Sequence, residues 1–303
     1  MTRNGDVHMK TKRSIGIHES FGDRVFLTIS YALCGLVLLA VAYPLYFVLI
    51  ASISDPDAVN RGETLLLPAM TSLDAYIKVF KESQVWVGYR NTILYTALSV
   101  IFSLCIVLPA AYALSRKDFP GRGPLVIFFL IAMYFNGGMV PTYLLVDSLN
   151  LTNTIWAMIL PSCVNVFHLI IAKTYFETSI PIELHEAAEL DGCTDFRYFI
   201  RVVLPLSKAI ISVVGVYVAV ASWNSYMNAL MYITEESLQP LQIVLRNILL
   251  VAQVYSGQSV SMARESEMMK YALIVITTIP IICVYPFVQK YFEKGVMIGS
   301  VKG

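Results

Sequence analysis

The chain contains 303 residues, of which 57% are hydrophobic and 14% are charged, and its formal net charge is +1 at pH 7. Soluble proteins carry about 25% charged residues, so this composition argues against the two soluble domains that the length alone would allow. The small net charge also argues against a nucleic-acid-binding protein, which would present a basic surface to phosphate groups.

Six apolar stretches are long enough to cross a bilayer, whose hydrocarbon core of roughly 30 Å requires about 20 mostly apolar residues per helix. We predict transmembrane helices at 25–52, 91–114, 124–149, 154–176, 209–233 and 271–292. The first stretch is too long for the apolar core of a cleavable signal, so we expect it to be retained. The predicted fold class is an all-α, polytopic membrane protein with six transmembrane helices.

The remaining residues form a basic N-terminal tail over 1–24, a C-terminal tail over 293–303 and the connections between helices. Of the 22 Lys and Arg residues, 15 lie in the two tails, in the connections after the second and fourth helices, or at the adjoining ends of the fourth and sixth helices. The other 7 lie in the connections after the first and fifth helices, 53–90 and 234–270. Because Lys and Arg accumulate in cytoplasmic loops, we predict that both termini and the loop 177–208 are cytoplasmic.

The loop 177–208 contains an unusually polar stretch, ELHEAAELDGCTDFRYFIRVVLP. Pro181 suits the first turn of a helix and Gly192 suits a left-handed C-terminal cap, so we predict a short helix over 182–190. Thr194 is typical of the residue that caps the start of a second helix. Four residues at helical spacing predict one apolar face on that second helix. These residues are Phe196, Phe199, Ile200 and Val203.

An acidic stretch of this kind has two interpretations besides a docking surface for a partner. The sequence HEAAE over 185–189 is similar to the zinc motif HExxH, but Glu189 takes the place of the second histidine. We therefore expect no metal site. A solvated acidic loop stays open on physical grounds alone.

The same stretch follows the pattern EAA, three residues, G, nine residues, V, one residue, LP over 186–205. This pattern resembles the EAA loop of ABC importer permeases, with Val202 in place of the family's isoleucine. The resemblance implies a coupling-helix loop that docks in a cleft of a separate ATPase subunit and carries its motion into the membrane helices. The implied ATPase-docking residues are Glu186, Ala187, Ala188, Gly192, Leu204 and Pro205.

Other stretches resemble carbohydrate permeases of the maltose-type family, in particular its polysaccharide and lipo-oligosaccharide branch. They are 110–122, 135–161, 222–233 and 240–250, and the resemblance covers nearly everything after residue 25. It implies a multi-pass subunit of the cytoplasmic membrane that imports a carbohydrate of the oligosaccharide class. It also implies three kinds of partner: a second homologous permease, an ABC ATPase dimer and an extracytoplasmic sugar-binding protein.

Energy coupling must then come from the partners. The sequence contains no GxxxxGK[ST] phosphate-binding loop and no Gly-Lys dipeptide. No catalytic set of Ser, His, Cys or paired carboxylates stands out within the predicted spans. We therefore expect this chain to be no enzyme and to hold no cofactor, with ATP used by the partner subunits.

Polar side chains within the spans are candidates for contact with the transported sugar. Polar groups at bilayer depth are costly and usually face the helix bundle or a cavity. Amides and hydroxyls suit sugar hydroxyls, and aromatic rings suit the apolar face of a sugar. The predicted substrate-pathway residues are Asn136, Trp223, Asn224, Tyr226 and Asn228. Hydrogen bonding between helices uses the same residue types and stays an alternative, which we favour for Asn165 and His168.

The chain ends in the sequence GSVKG over 299–303. This ending resembles the short glycine-rich tail of one of the two permeases in maltose-type importers, where the tail reaches into the ATPase dimer interface. The resemblance implies such contacts for Gly299, Lys302 and Gly303. A frayed terminus is the ordinary alternative.

Two further functions fit a chain of this composition. An ion-coupled secondary transporter would act without an ATPase, but such carriers often show intramembrane ionisable residues and internal repeats, and neither is evident here. A membrane scaffold that transports nothing would leave the polar residues of the fifth span unexplained. The sequence therefore favours the ABC permease.

Overall fold

The computed structural model describes residues 20–135, 137–254, 269–283 and 286. Within these ranges the regular elements are helical and no strand occurs, which confirms the predicted all-α class. Several predicted features lie outside the described residues: most of the tail 1–24, Asn136, the end of the sixth span, and the tail 293–303 with Gly299, Lys302 and Gly303.

The chain divides into two compact units, Met1–Val48 and Leu49–Gly303. Helix α1 (Phe21–Ser52) begins in the first unit and ends in the second, with Pro44 inside it. Its side chains in the first unit are mostly apolar and exposed. Exposed apolar side chains along a whole helix suit a lipid environment, because lipid tails and not water then surround them.

The second unit contains the remaining helices. In chain order they are α2 (Pro56–Asn60), α3 (Asp74–Lys81), α4 (Ser83–Ser115), α5 (Arg122–Tyr134), α6 (Met139–Ser148), α7 (Ile155–Ile159), α8 (Val166–Ser179), α9 (Ile182–Leu190), α10 (Asp195–Tyr198), α11 (Leu204–Leu206), α12 (Lys208–Trp223), α13 (Tyr226–Tyr232), α14 (Leu241–Val254) and α15 (Met269–Cys283). A π-helical turn, Phe199–Val203, joins α10 to α11.

Helix α4 forms the centre of this unit, with α8, α12 and α14 packed against it. Its apolar side chains Val107, Ala111 and Leu114 are buried in one cluster with Leu169 of α8 and Val214 of α12. Burial of apolar area at about 25 cal/mol per Å² stabilises this packing wherever water is the alternative environment. The cluster therefore fixes how α8 and α12 lie against α4.

Helices α1 and α4 are each long and apolar enough to cross a membrane without a break. Among the described residues, up to five spans result if three bent helix pairs each count as one. The prediction of six spans therefore stays a prediction, and the third, fourth and fifth are not single helices. Each has a break with an identifiable cause.

In the third predicted span, α5 ends at Tyr134 and α6 begins after Gly138, whose φ of 92° favours glycine. In the fourth, Pro161 lies in a 3₁₀ turn, and the helical segments on either side of residues 163–165 are bent by 49°. In the fifth, α12 ends at Trp223 and α13 begins at Tyr226. The break in the third span therefore lies at the glycine pair 137–138.

The predicted apolar face of the second helix in loop 177–208 is wrong in part. Phe199 and Val203 are buried as predicted, but Phe196 is 75% exposed and Ile200 is 45% exposed. The reason is the π-helical turn, which has more residues per turn than an α-helix and so breaks the assumed 3.6-residue spacing. Tyr198, which the spacing did not select, is buried instead.

Candidate functional site

The first half of loop 177–208 folds as its local sequence predicts. Helix α9 begins after Pro181 and ends at Leu190. Gly192 adopts a φ of 70°, and its N–H donates to the carbonyl of Glu189 at 2.9 Å. The Thr194 hydroxyl accepts the N–H of Arg197 at 3.4 Å and caps α10. The predicted helix, glycine turn and second helix start are therefore confirmed.

One face of α9 points away from the rest of its unit. Ile182, Glu186 and Leu190 follow a spacing of four, which places them on one side of a helix, and all three are exposed. Leu190 is 90% exposed. Among the described residues, none forms a hydrogen bond or ion pair with the Glu186 side chain. An acid between two exposed apolar residues is typical of a docking surface.

The predicted docking residues are distributed over both faces of the loop. Glu186, Ala187, Gly192 and Pro205 are exposed, whereas Ala188 and Leu204 are half-buried against the cluster around α4. Leu190 and Ile182 were not selected from the sequence. Their spacing around Glu186 was the signal that could have identified them.

His185 joins the two helices of the loop. Its Nε2 lies 3.0 Å from Oδ1 of Asp195, and its ring packs edge-on against Tyr198 with centroids 5.1 Å apart. The sequence suggested His185 only as part of a metal motif, which we rejected. Within the described residues, no group of three or more His, Cys, Asp or Glu side chains could hold a metal ion. The side chain therefore positions α9 against α10.

A second candidate site is a polar cleft of about 540 Å³. It lies at the breaks in the fourth and fifth predicted spans, and its polar lining consists of Ser99, Ser162, Asn165, His168, Ser222, Asn224, Ser225 and Asn228. We call this site the polar cleft. A helix break leaves backbone N–H and C=O groups inside the bundle, where a continuous helix would present only side chains.

The amides of the polar cleft are held by the broken helices themselves. Asn165 accepts the N–H of Phe167 at 2.9 Å and so caps the start of α8. Asn224 donates to the carbonyl of Val220 at 2.9 Å at the end of α12. The Asn228 amide donates to Oγ of Ser162 at 3.2 Å, which joins α13 to the 3₁₀ turn before α8.

His168 also lines the polar cleft, although the sequence favoured a structural role for it. It is 7% exposed and its ring stacks on Tyr217 with centroids 5.5 Å apart. Among the described residues, Nδ1 of His168 has no hydrogen-bond partner. A buried polar atom without a partner is costly, so this histidine is not explained as a hydrogen-bonded interior residue.

Two predicted substrate-pathway residues lie elsewhere. Trp223 is buried in a cluster with Val79 and Leu241, and Tyr226 packs against a cluster that contains Tyr95. Neither lines the polar cleft. The structure therefore brings Asn224 and Asn228 together with Asn165 and His168, and separates them from Trp223 and Tyr226.

Comparison with known proteins gives consistent results. Residues 85–298 match the family of the binding-protein-dependent transport system inner membrane component. The chain is 38% identical over 285 residues to the polygalacturonan/rhamnogalacturonan transport system permease protein YtcP of Bacillus subtilis, covering 93% of this chain and 99% of that protein. It is 37% identical over 290 residues to the protein LplC of the same organism, covering 95% and 98%.

A solved structure is similar over nearly the whole chain. It is the crystal structure of a bacterial ABC transporter involved in the import of the acidic polysaccharide alginate. The TM-score is 0.84 at 33% identity, and the match covers 90% of this chain and 99% of that chain. The chain has helices that can cross a membrane, an exposed loop with the EAA pattern and these matches over most of its length. It therefore belongs to the binding-protein-dependent transport system inner membrane components and is a permease subunit, not an enzyme.

Proposed function

We propose that the chain is one of two permease subunits of an ATP-driven importer that moves an oligosaccharide across the cytoplasmic membrane. One observation carries this proposal: the exposed face of α9, where Glu186 of the EAA pattern lies between Ile182 and Leu190. The relatives that are named for carbohydrate transport support the class of cargo. ATP is bound and hydrolysed by the partner ATPase dimer and not by this chain.

In this proposal α9 docks in a cleft of the ATPase. Glu186 pairs with a cation there, and the two apolar neighbours exclude water from the pair. Gly192 and Pro205 lie at the ends of the docking surface, and Ala188 and Leu204 hold the loop to the cluster around α4. A motion of the ATPase is thereby passed to α4, α8 and α12.

The polar cleft is the proposed sugar pathway of this subunit. Transporters commonly form binding sites from discontinuous helices near the middle of the membrane. Asn224 and Asn228 offer amides to sugar hydroxyls, and Asn165 and His168 extend the same lining. The second permease completes the pathway, and an extracytoplasmic sugar-binding protein delivers the cargo.

We further propose six spans with both termini in the cytoplasm. The test uses a variant without native cysteines, with single cysteines at Asp57 and at Asp118. An impermeant thiol reagent added to intact cells should label position 57 and leave position 118 unlabelled. Labelling at position 118 would contradict the topology.

The C-terminal residues Gly299, Lys302 and Gly303 are proposed to contact the ATPase dimer interface. Deletion of 299–303 should then lower sugar-stimulated ATP hydrolysis while the chain still inserts into the membrane. Full stimulation and full uptake by the truncated chain would show that these residues serve no such contact.

The decisive experiment is transport in proteoliposomes that contain the complete importer. Uptake should require ATP inside the vesicle with the ATPase, and the binding protein outside. Uptake driven by an ion gradient without ATP would instead favour the secondary transporter. A catalytically dead ATPase of the same complex is the matched control.

A further inference from the structure

Three charged side chains meet just before loop 177–208 turns into α9. Both carboxylate oxygens of Glu177 lie 2.8 Å from Nζ of Lys173, and the Arg122 guanidinium also donates to this carboxylate. The three side chains are 12–30% exposed. We call them the Glu177 cluster. Salt screens partly buried charges less than it screens surface pairs, so the attraction within the Glu177 cluster depends mainly on the distances between its side chains.

The Glu177 cluster connects three helices. Glu177 and Lys173 lie in the last turns of α8, and Arg122 is the first residue of α5. Nε of Arg122 donates at 2.8 Å to the carbonyl of Leu114, which lies in the last turn of α4 and has no partner within its own helix. A single guanidinium therefore ties the end of α4 to the end of α8.

A groove of about 580 Å³ separates this cluster from α9. Its lining includes Arg122 and Glu177 of the cluster and Glu183 and His185 of α9. Helix α9 contacts the packing around α4 through Ala188 and contacts α10 through His185. Its first turn also depends on the end of α8, because Glu177 lies only four residues before Pro181, after which α9 begins.

We propose that Glu177 is a positioning residue for energy coupling, held by Arg122 and Lys173. With the cluster intact, a displacement of α9 pulls on the ends of α8 and α4 together. Without it, α9 moves into the groove while the membrane helices stay in place. This inference rests on the proposed docking of α9 to the ATPase, and it assigns Glu177 no contact with the sugar or with ATP.

The test compares Glu177→Gln with wild type in proteoliposomes that contain the complete importer. ATP hydrolysis and sugar uptake are measured in the same vesicles, and their ratio reports coupling. We expect the ATP used per sugar to rise about tenfold, the order of effect of losing one charge-assisted hydrogen bond, while hydrolysis continues. A purely structural role would lower uptake and hydrolysis in proportion and would overturn the proposal.

Asp118→Asn is the matched control. Asp118 also pairs with an arginine, Arg116, at 2.8 Å, but the two residues lie in one short loop and Asp118 is 68% exposed. The hydrogen bond from Arg116 lowers the pKa of the Asp118 carboxyl, so this pair is ionised at neutral pH. Its loss should leave the ATP used per sugar unchanged, because it joins no two helices. A rise equal to that of Glu177→Gln would overturn the assignment to Glu177.

A conservative variant guards against one that fails to assemble. Glu177→Asp keeps a carboxylate beside Arg122 and Lys173 and leaves the bond from Arg122 to the Leu114 carbonyl in place. We expect Glu177→Asp to recover at least half of the coupling that Glu177→Gln loses. No recovery in an assembled complex would overturn the proposal. Loss of ATP dependence in the wild type would instead refute the proposed function itself.

Discussion

Residues at helix ends shape both loop 177–208 and the polar cleft. In the loop these residues bond neighbours in sequence, whereas in the cleft they bond residues that are distant in sequence. In the loop, Gly192 and Thr194 cap neighbouring helices through contacts with residues three positions away. In the cleft, the Asn228 amide reaches Ser162 across 66 positions of sequence. Short-range caps shape the exposed surface that we propose as the docking site, whereas long-range contacts between helices enclose the polar cleft.

The two regions also differ in what a substitution removes. On α9 Glu186 is exposed, and its proposed role is a contact with the ATPase. In the cleft the amides already have partners within the chain, so a substitution alters both the lining and the helix break. We therefore expect the largest effects on transport from α9 and smaller, more specific effects from the cleft.

The largest effect is expected for Glu186→Lys. It places a cation where the EAA pattern presents a carboxylate, and breaking a desolvated charge pair costs about 3–5 kcal/mol. The ATPase should no longer co-purify and uptake should be lost, while the chain still inserts. Glu186→Gln should fall between this variant and wild type. Normal uptake by Glu186→Lys in an intact complex would remove α9 from the coupling mechanism.

Gly192→Val tests the turn that orients α9. No atom lies within 4 Å of a Cβ built at this glycine, so any defect comes from its φ of 70° and not from a clash. A left-handed backbone costs an L-residue roughly 1–2 kcal/mol. Uptake should fall severalfold. Gly192→Asn, which tolerates this conformation better, should retain most of it, and equal loss in both variants would show that the turn geometry is not the cause.

The sequence predicts the features that depend on neighbouring residues better than those that depend on distant contacts. Gly192 and Thr194 could be placed because a cap depends on neighbours within a few residues. Phe196 and Ile200 were misplaced because the assumed 3.6-residue spacing does not hold through the π-helical turn, where Phe199 packs against Tyr112 of α4. The apolar stretches predicted the all-α class, but the sequence did not predict the break at Asn224, which lies outside the glycine and proline positions that signal most breaks.

Of the residues predicted in the fifth span, Asn224 and Asn228 line the polar cleft, whereas Trp223 and Tyr226 do not. Asn224, Asn228, Trp223 and Tyr226 lie within six residues of each other, so composition alone could not separate lining from packing. The separation coincides with the break between Trp223, where α12 ends, and Tyr226, where α13 begins. His168 lines the cleft, although an isolated histidine in an apolar helix is usually a bonded interior residue.

Asn228→Leu and Tyr226→Phe test which side of α13 contacts the sugar. Asn228→Leu removes the amide that lines the cleft and its bond to Ser162, so KM for the sugar should rise by about fivefold, as expected for one hydrogen bond of about 1 kcal/mol. Tyr226→Phe removes only a hydroxyl outside the cleft and should leave KM unchanged. The opposite outcome would place the sugar pathway on the side of α13 that carries Tyr226.

The smallest effect is expected from the contact between His185 and Asp195. A net hydrogen bond contributes about 0.5–1.5 kcal/mol, and this one lies at the surface, with the Asp195 side chain 80% exposed. His185→Gln and Asp195→Asn should each reduce uptake by less than about threefold. If the contact positions α9 against α10, the double variant should be no worse than either single variant, because bonded residues are not additive. Additive losses would mean that the two side chains act separately and that the contact between them does not position α9.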